Sequence, residues 1–207
     1  LRYAVTPRFA PTSSSTQLNQ AARLLNEYPS DDQTKGVLLQ THLNENDEEI
    51  AWVNDLFPDS NSYFGVYEDH GITGNRSVFG HCIHNTEEEY QRMAKTGSKV
   101  SLCPTSNLFL GSGLFELEKL ESYGIDVSLA SDVGGGDSFS MFKVMNEAYK
   151  ICRLNDFNLD PIKAFYLTTL GAAKVLDMND SIGNFEVNKE ADFIVIDLNA
   201  TEIISQK

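Results

Sequence analysis

Four ionisable side chains in this sequence sit where short apolar runs end: His42, Glu45, His81 and Asp132. His42 lies in Gln40-Thr41-His42-Leu43-Asn44-Glu45, His81 in Gly80-His81-Cys82-Ile83-His84, and Asp132 in Ala130-Ser131-Asp132-Val133-Gly134-Gly135-Gly136-Asp137. Neutral imidazole and carboxylate are the usual nitrogen and oxygen donors for zinc or iron, so this set suits a divalent metal. Glu45 follows His42 closely enough to turn back over such an ion and exchange protons with a bound water. Each residue also has a plainer role: a core histidine bonded to a carbonyl, a carboxylate complementing a helix dipole, an aspartate in a glycine turn. Arg8, between Pro7 and Phe9, pairs a planar donor fork with an aromatic face, which suits a flat polar heterocycle.

Other candidates carry less. His84 reads as a loop residue and His70, in Glu68-Asp69-His70-Gly71, as a solvent-exposed turn residue. The glycines after Asp132 lack the GxxxxGK[ST] pattern of a phosphate loop and would instead permit close backbone approach to a small substrate. Cys82, Cys103 and Cys152 show no CxxC spacing and read as packing thiols, with Cys103 near the expected site.

The elements that must position these groups alternate. Strand candidates are Arg2 to Phe9, Val37 to Leu43, Ser77 to Ile83, Lys99 to Cys103 and Asp126 to Ala130. Between them, Ser15 to Tyr28, Asp47 to Leu56, Thr86 to Thr96 and Leu114 to Tyr123 space apolar residues three or four apart, as helices do. Asn85-Thr86-Glu87-Glu88-Glu89 is a helix start, and Gly97 and Gly124 are stops. Longer helices are expected from Ser138 to about Leu154 and from Pro161 to Leu176. This is an α/β pattern with a parallel sheet, in which ligands bind beyond the carboxyl ends of the strands. Each candidate strand delivers a polar group at that end. The last segment, Ala191 to Asp197, breaks the rhythm and reads as a strand of a separate small β structure.

Composition narrows the partners. The 207 residues carry 16 Lys+Arg against 30 Asp+Glu, a net charge of −14, without a basic cluster that could hold a phosphate backbone. Nucleic acid is therefore not an expected partner. The 41% hydrophobic and 22% charged content is that of a globular protein. No apolar run approaches the roughly 20 residues of a membrane span, and no leader pattern opens the sequence, so a cytoplasmic, reducing setting without membrane contact is expected.

Taken in order, Thr6-Pro7-Arg8-Phe9, Thr41-His42-Leu43-Asn44-Glu45-Asn46, His81-Cys82, Cys103-Pro104-Thr105-Ser106-Asn107 and Ser131-Asp132-Val133-Gly134-Gly135 resemble the guanine deaminases of the amidohydrolase superfamily. Ile182-Gly183-Asn184-Phe185-Glu186 with Lys189-Glu190-Ala191-Asp192-Phe193 is similar to the segment by which that family returns to a small β-sandwich. The resemblance implies a partial metal-dependent (β/α)8 TIM barrel, about strands four to eight, over residues 1–180, and a segment of the accessory β-sandwich over 181–207. It implies hydrolytic deamination of guanine to xanthine and ammonia. His42 and Asp132 would be ligands of zinc, with iron possible, and Glu45, His81 and Asp132 would be catalytic. Arg8, Phe9, His42, Glu45 and Asp132 would face the purine. The family's first barrel strand ends in an HxH pair supplying two more ligands, and no HxH occurs here. The expectation is a C-terminal part of a longer enzyme, inactive alone, that associates with the missing N-terminal half or forms a homodimer. A related amidohydrolase acting on another heterocycle, or a non-catalytic assembly module, are the competing expectations.

Overall fold

The computed structural model describes residues 2–30 and 35–197. Its frame is a five-stranded, all-parallel sheet in which sequence order equals spatial order: β1 (Ala4–Val5), β2 (Leu38–Leu43), β3 (Ser77–His81), β4 (Lys99–Leu102) and β5 (Val127–Leu129). Consecutive parallel strands need a crossover, and helices supply it: α1 (Ser15–Glu27), α2 (Asp47–Leu56), α3 (Tyr63–Asp69), α4 (Glu87–Thr96), α5 (Pro104–Leu110) and α6 (Leu117–Ser122). After β5 come α7 (Met141–Leu154), α8 (Pro161–Thr168) and α9 (Leu170–Val175). The central strand β3 is buried along its whole length, as a strand covered on both faces must be. Leu39, Phe79, Val100, Leu102 and Leu129 share one apolar core with Leu18, Val53, Phe64, Tyr90, Met93 and Ile151 of the helices.

Sequence chemistry explains the helix ends. Thr86 and Glu89 form the capping box of α4, the Glu89 amide reaching Thr86 Oγ1 at 3.2 Å and the Thr86 amide reaching Glu89 Oε2 at 3.0 Å. Gly97 then ends α4 in the left-handed region, at φ +72°. At the opposite end of the sheet, Arg76 donates to the carbonyls of Leu25 and Tyr28 at the end of α1, and Lys99 to that of Lys174 in α9. Cations placed on helix C-termini satisfy both the orphan carbonyls and the dipole.

Several elements differ from the sequence expectation. β1 spans two residues rather than Arg2 to Phe9, because Pro7 has no N–H to extend the ladder. The chain nonetheless stays beside β2, the His42 amide reaching the Arg8 carbonyl at 3.2 Å. The helix expected from Pro161 to Leu176 breaks at Thr169, where the Thr168 and Thr169 hydroxyls both bond the Phe165 carbonyl and compete with the helix ladder. Helices α3 and α5 were not anticipated. Residues 191–197, expected as a strand, run as irregular chain. The rest of the expected 181–207 segment, residues 198–207, lies outside the described residues.

Candidate functional site

The carboxyl end of the sheet gathers the four ionisable groups. Parallel pairing sets His42 opposite Gly80 and Leu43 opposite His81, which brings the two imidazoles to a centroid distance of 4.9 Å at an interplanar angle of 87°. His81 Nε2 lies 3.7 Å from Glu45 Oε2 and 4.0 Å from Asp132 Oδ2. One donor atom from each of His42, Glu45 and His81 falls within 4.8 Å of the others, and so does one from each of His81, Cys103 and Asp132.

The backbone is bent to achieve this. Asn44, His81, Cys82 and Asp132 all have positive φ, between +44° and +68°, where a non-glycine residue costs about 1–3 kcal/mol. Such strain survives only where surrounding contacts over-determine it. Around Asn44 they do: Asn44 Nδ2 donates to Asn85 Oδ1 at 2.8 Å and Glu89 Oε2 at 3.0 Å, and its carbonyl accepts from the Ile83 and His84 amides. Around Asp132 they do as well, since its carbonyl accepts from the Gly135 and Gly136 amides. A Cβ on Gly135 would stand 2.6 Å from Ser106 Oγ and 3.1 Å from Asp132 Oδ2, so glycine is required there. The glycine run thus lets Ser106 and the Asp132 carboxylate come close.

His42 is half-buried, and burial first, then the neighbouring His81, holds its pKa below the usual value. It is a neutral nitrogen donor at neutral pH. Glu45 is buried and accepts from Ser112 Oγ at 3.0 Å through Oε1. His81 is buried, its Nδ1 2.9 Å from Asn107 Oδ1. An amide oxygen carries no proton, so Nδ1 is the donor of that pair, which turns Nε2 toward the two carboxylates. Nε2, Glu45 Oε2 and Asp132 Oδ2 thus face one another, and two carboxylate oxygens turned toward one imidazole suit a shared proton or a bound cation. Burial pushes the Cys103 thiol far up, and its Sγ lies 3.5 Å from the Ser101 carbonyl, so it is a packed thiol.

Arg8 is exposed, its guanidinium carbon 5.0 Å from the Phe9 ring centroid. Phe9 stands between Arg8 and the site, 5.5 Å from the His42 ring and 6.3 Å from Trp52. Tyr67, fully buried, ties this loop to β2: its hydroxyl donates to the His42 carbonyl at 2.8 Å and accepts from the Ala10 amide at 3.1 Å. A cavity of about 470 Å³ opens beside the cluster, lined by Thr6, His42, His81, Cys103 and Asp132 and, deeper, by apolar strand residues. The remaining histidines stand apart. His84 Nε2 meets the Ser112 carbonyl at 2.8 Å. His70, expected in solvent, is half-buried against Phe57 with Nδ1 2.7 Å from the Val66 carbonyl.

Sequence reasoning missed Tyr67 and Ser112, whose partners are remote in sequence; Asn107 stood only inside a longer run at a strand end.

The family model for the amidohydrolases matches residues 1–206. Guanine deaminase of Escherichia coli K12 is 48% identical over 203 residues, which is 98% of this chain and 45% of that protein. Its solved structure superposes with a TM-score of 0.92, covering 98% of this chain and 46% of that one. A guanine deaminase from C. acetobutylicum, solved with guanine in its active site, is 33% identical with a TM-score of 0.78 over 87% of this chain and 42% of that one. The chain thus spans just under half the length of these relatives. With a family match over almost every residue and a parallel strand-end site, this chain belongs to the amidohydrolase family.

Proposed function

We propose that these residues belong to a guanine deaminase, which converts guanine and water to xanthine and ammonia. The observation that carries the reading is 48% identity to E. coli guanine deaminase across 98% of this chain. The cluster of His42, Glu45, His81 and Asp132 supplies the chemistry that reaction needs. His42 and Asp132 would hold a divalent metal, zinc or iron, whose role when bound is to make hydroxide available at neutral pH. His42 shares a cluster of possible ligand atoms with Glu45 and His81, and Asp132 one with His81 and Cys103, which fits such a cation. His42 and Asp132 alone are short of the three protein ligands usual in a catalytic site, so further ligands would come from outside these 207 residues.

The chain's own residues then divide the work. Phe9 and Arg8 flank the heterocycle by stacking and hydrogen bonding, while His42, Glu45 and Asp132 line its reacting side. Glu45 takes the proton of the attacking water and delivers it to the ring nitrogen beside the amine-bearing carbon. The new C–O bond forms as that carbon becomes tetrahedral. A further proton passes through Glu45 to the amine, the C–N bond breaks, and ammonia leaves. His81 orients the attacking oxygen, and Asp132 accepts its remaining proton, which is the proton that passes on through Glu45 to the amine. Residues 181–207 would belong to an accessory β-sandwich.

Guanine-dependent ammonia release, measured in the full polypeptide with zinc or ferrous iron added, tests the reading. Glu45→Gln is expected to lower kcat by about 10²- to 10⁴-fold with metal content retained. Loss of the metal instead would make Glu45 a ligand, and metal-loaded enzyme without guanine turnover would assign the site to another heterocycle.

A further inference from the structure

The reacting groups all come from segments following β2, β3 and β5, and none from the segment following β4. Yet that segment braces Glu45, His81 and the turn that carries Asp132. Thr105 Oγ1 donates to the Ser131 carbonyl at 3.0 Å, the residue before Asp132. Asn107 Oδ1 stands 2.9 Å from His81 Nδ1. Ser112 Oγ donates to Glu45 Oε1 at 3.0 Å. All three side chains belong to buried residues, in a protein whose buried polar groups must each have a reason.

The segment is braced from within. The Asn107 amide reaches the Cys103 carbonyl and the Ser112 amide the Asn107 carbonyl, each at 2.9 Å, and His84 holds the Ser112 carbonyl. α5 therefore fixes Thr105 and Asn107, and the turn after it fixes Ser112.

We infer that Thr105, Asn107 and Ser112 form one positioning platform, each serving a different reactive residue. Asn107 holds the His81 ring through Nδ1, so that Nε2 faces Glu45 and Asp132. Ser112 occupies one Glu45 oxygen and leaves Oε2 turned toward His81. Thr105 pins the turn that holds Asp132 at its positive φ. None of the three meets the reacting atoms, so their effect is on geometry, where a small misplacement is costly in kcat. The inference rests on the deaminase reading for which groups react.

The test uses the full polypeptide loaded with zinc. Ser112→Ala and Asn107→Leu should lower kcat for guanine by about 10-fold or more at nearly unchanged KM, with metal content retained, and Ser112→Thr should recover most of the loss. Thr105→Val should instead reduce metal retention, because its partner turn carries Asp132. A rise in KM at unchanged kcat, or equal kcat in Ser112→Ala and wild type, would overturn the platform. Independently of turnover, ¹⁵N shifts of the histidine ring nitrogens should show wild-type His81 protonated at Nδ1, and an Nε2-protonated ring would overturn the role of Asn107. An enzyme inactive on guanine with the Nδ1 tautomer in place would reject the deaminase reading and keep the platform.

Discussion

Phe9 is the residue through which the exposed Arg8 bears on the buried site. Its ring lies under the Arg8 guanidinium on one side and tilts against His42 on another. Arg8 is thus held over an aromatic face beside a candidate ligand, ready to donate to a planar acceptor. Losing a charged hydrogen bond costs about 1.5–3 kcal/mol, so Arg8→Ala should lower kcat/KM for guanine by about 10- to 150-fold. Steady-state kinetics with guanine checks this, and an unchanged kcat/KM would remove Arg8 from the substrate site. The clustering of these residues was legible in the sequence because strand ends in a parallel sheet are where such groups collect, and His42, His81 and Asp132 each follow an apolar run. Ser112 was not legible, since its bond to Glu45 joins positions 67 residues apart and a serine before glycine looks like any turn.

At the scale of elements, α3 shows the same limit. Tyr63-Phe64-Gly65-Val66-Tyr67 reads as an apolar run without helical spacing, yet Ser62 caps it and Glu89 Oε1 accepts the Phe64 amide at 3.1 Å. The capping box at Thr86 was visible in Asn85-Thr86-Glu87-Glu88-Glu89. That the same buried Glu89 also serves Asn44 and Phe64 depends on tertiary contact alone. What α3 contributes is Tyr67, whose hydroxyl contacts the Ala10 amide, the His42 carbonyl and Thr41 Oγ1. Tyr67→Phe leaves the buried Ala10 amide and His42 carbonyl without that partner, and each orphaned group costs about 1–3 kcal/mol. Equilibrium unfolding in urea should therefore show a loss of at least about 1 kcal/mol, and a KM for guanine raised through the loosened Arg8-Phe9 loop. A variant as stable as the parent would mean that water replaces the hydroxyl without penalty.

For the whole molecule, the parallel order of five consecutive strands was readable from the β-α rhythm, but closure was not. Among the described residues β1 pairs only with β2, and β5 only with β4, so both sheet edges lie open. The cavity beside the site continues down the sheet face of Leu38, Gln40, Val78 and Ser128, and Phe185, Val187, Phe193 and Val195 are largely exposed in the last described segment. Open edges and clustered exposed apolar side chains are surfaces that proteins cover or pair. Relatives of about twice this length place further chain in the same fold. The 207 residues on their own should accordingly associate as concentration rises, and a separately produced polypeptide matching the remaining part of the E. coli relative should suppress that association while restoring guanine turnover. Sedimentation velocity across a concentration series reads the first effect and ammonia release the second. A monodisperse monomer with one cooperative melting transition would show instead that the half-open sheet is stable in water as it stands.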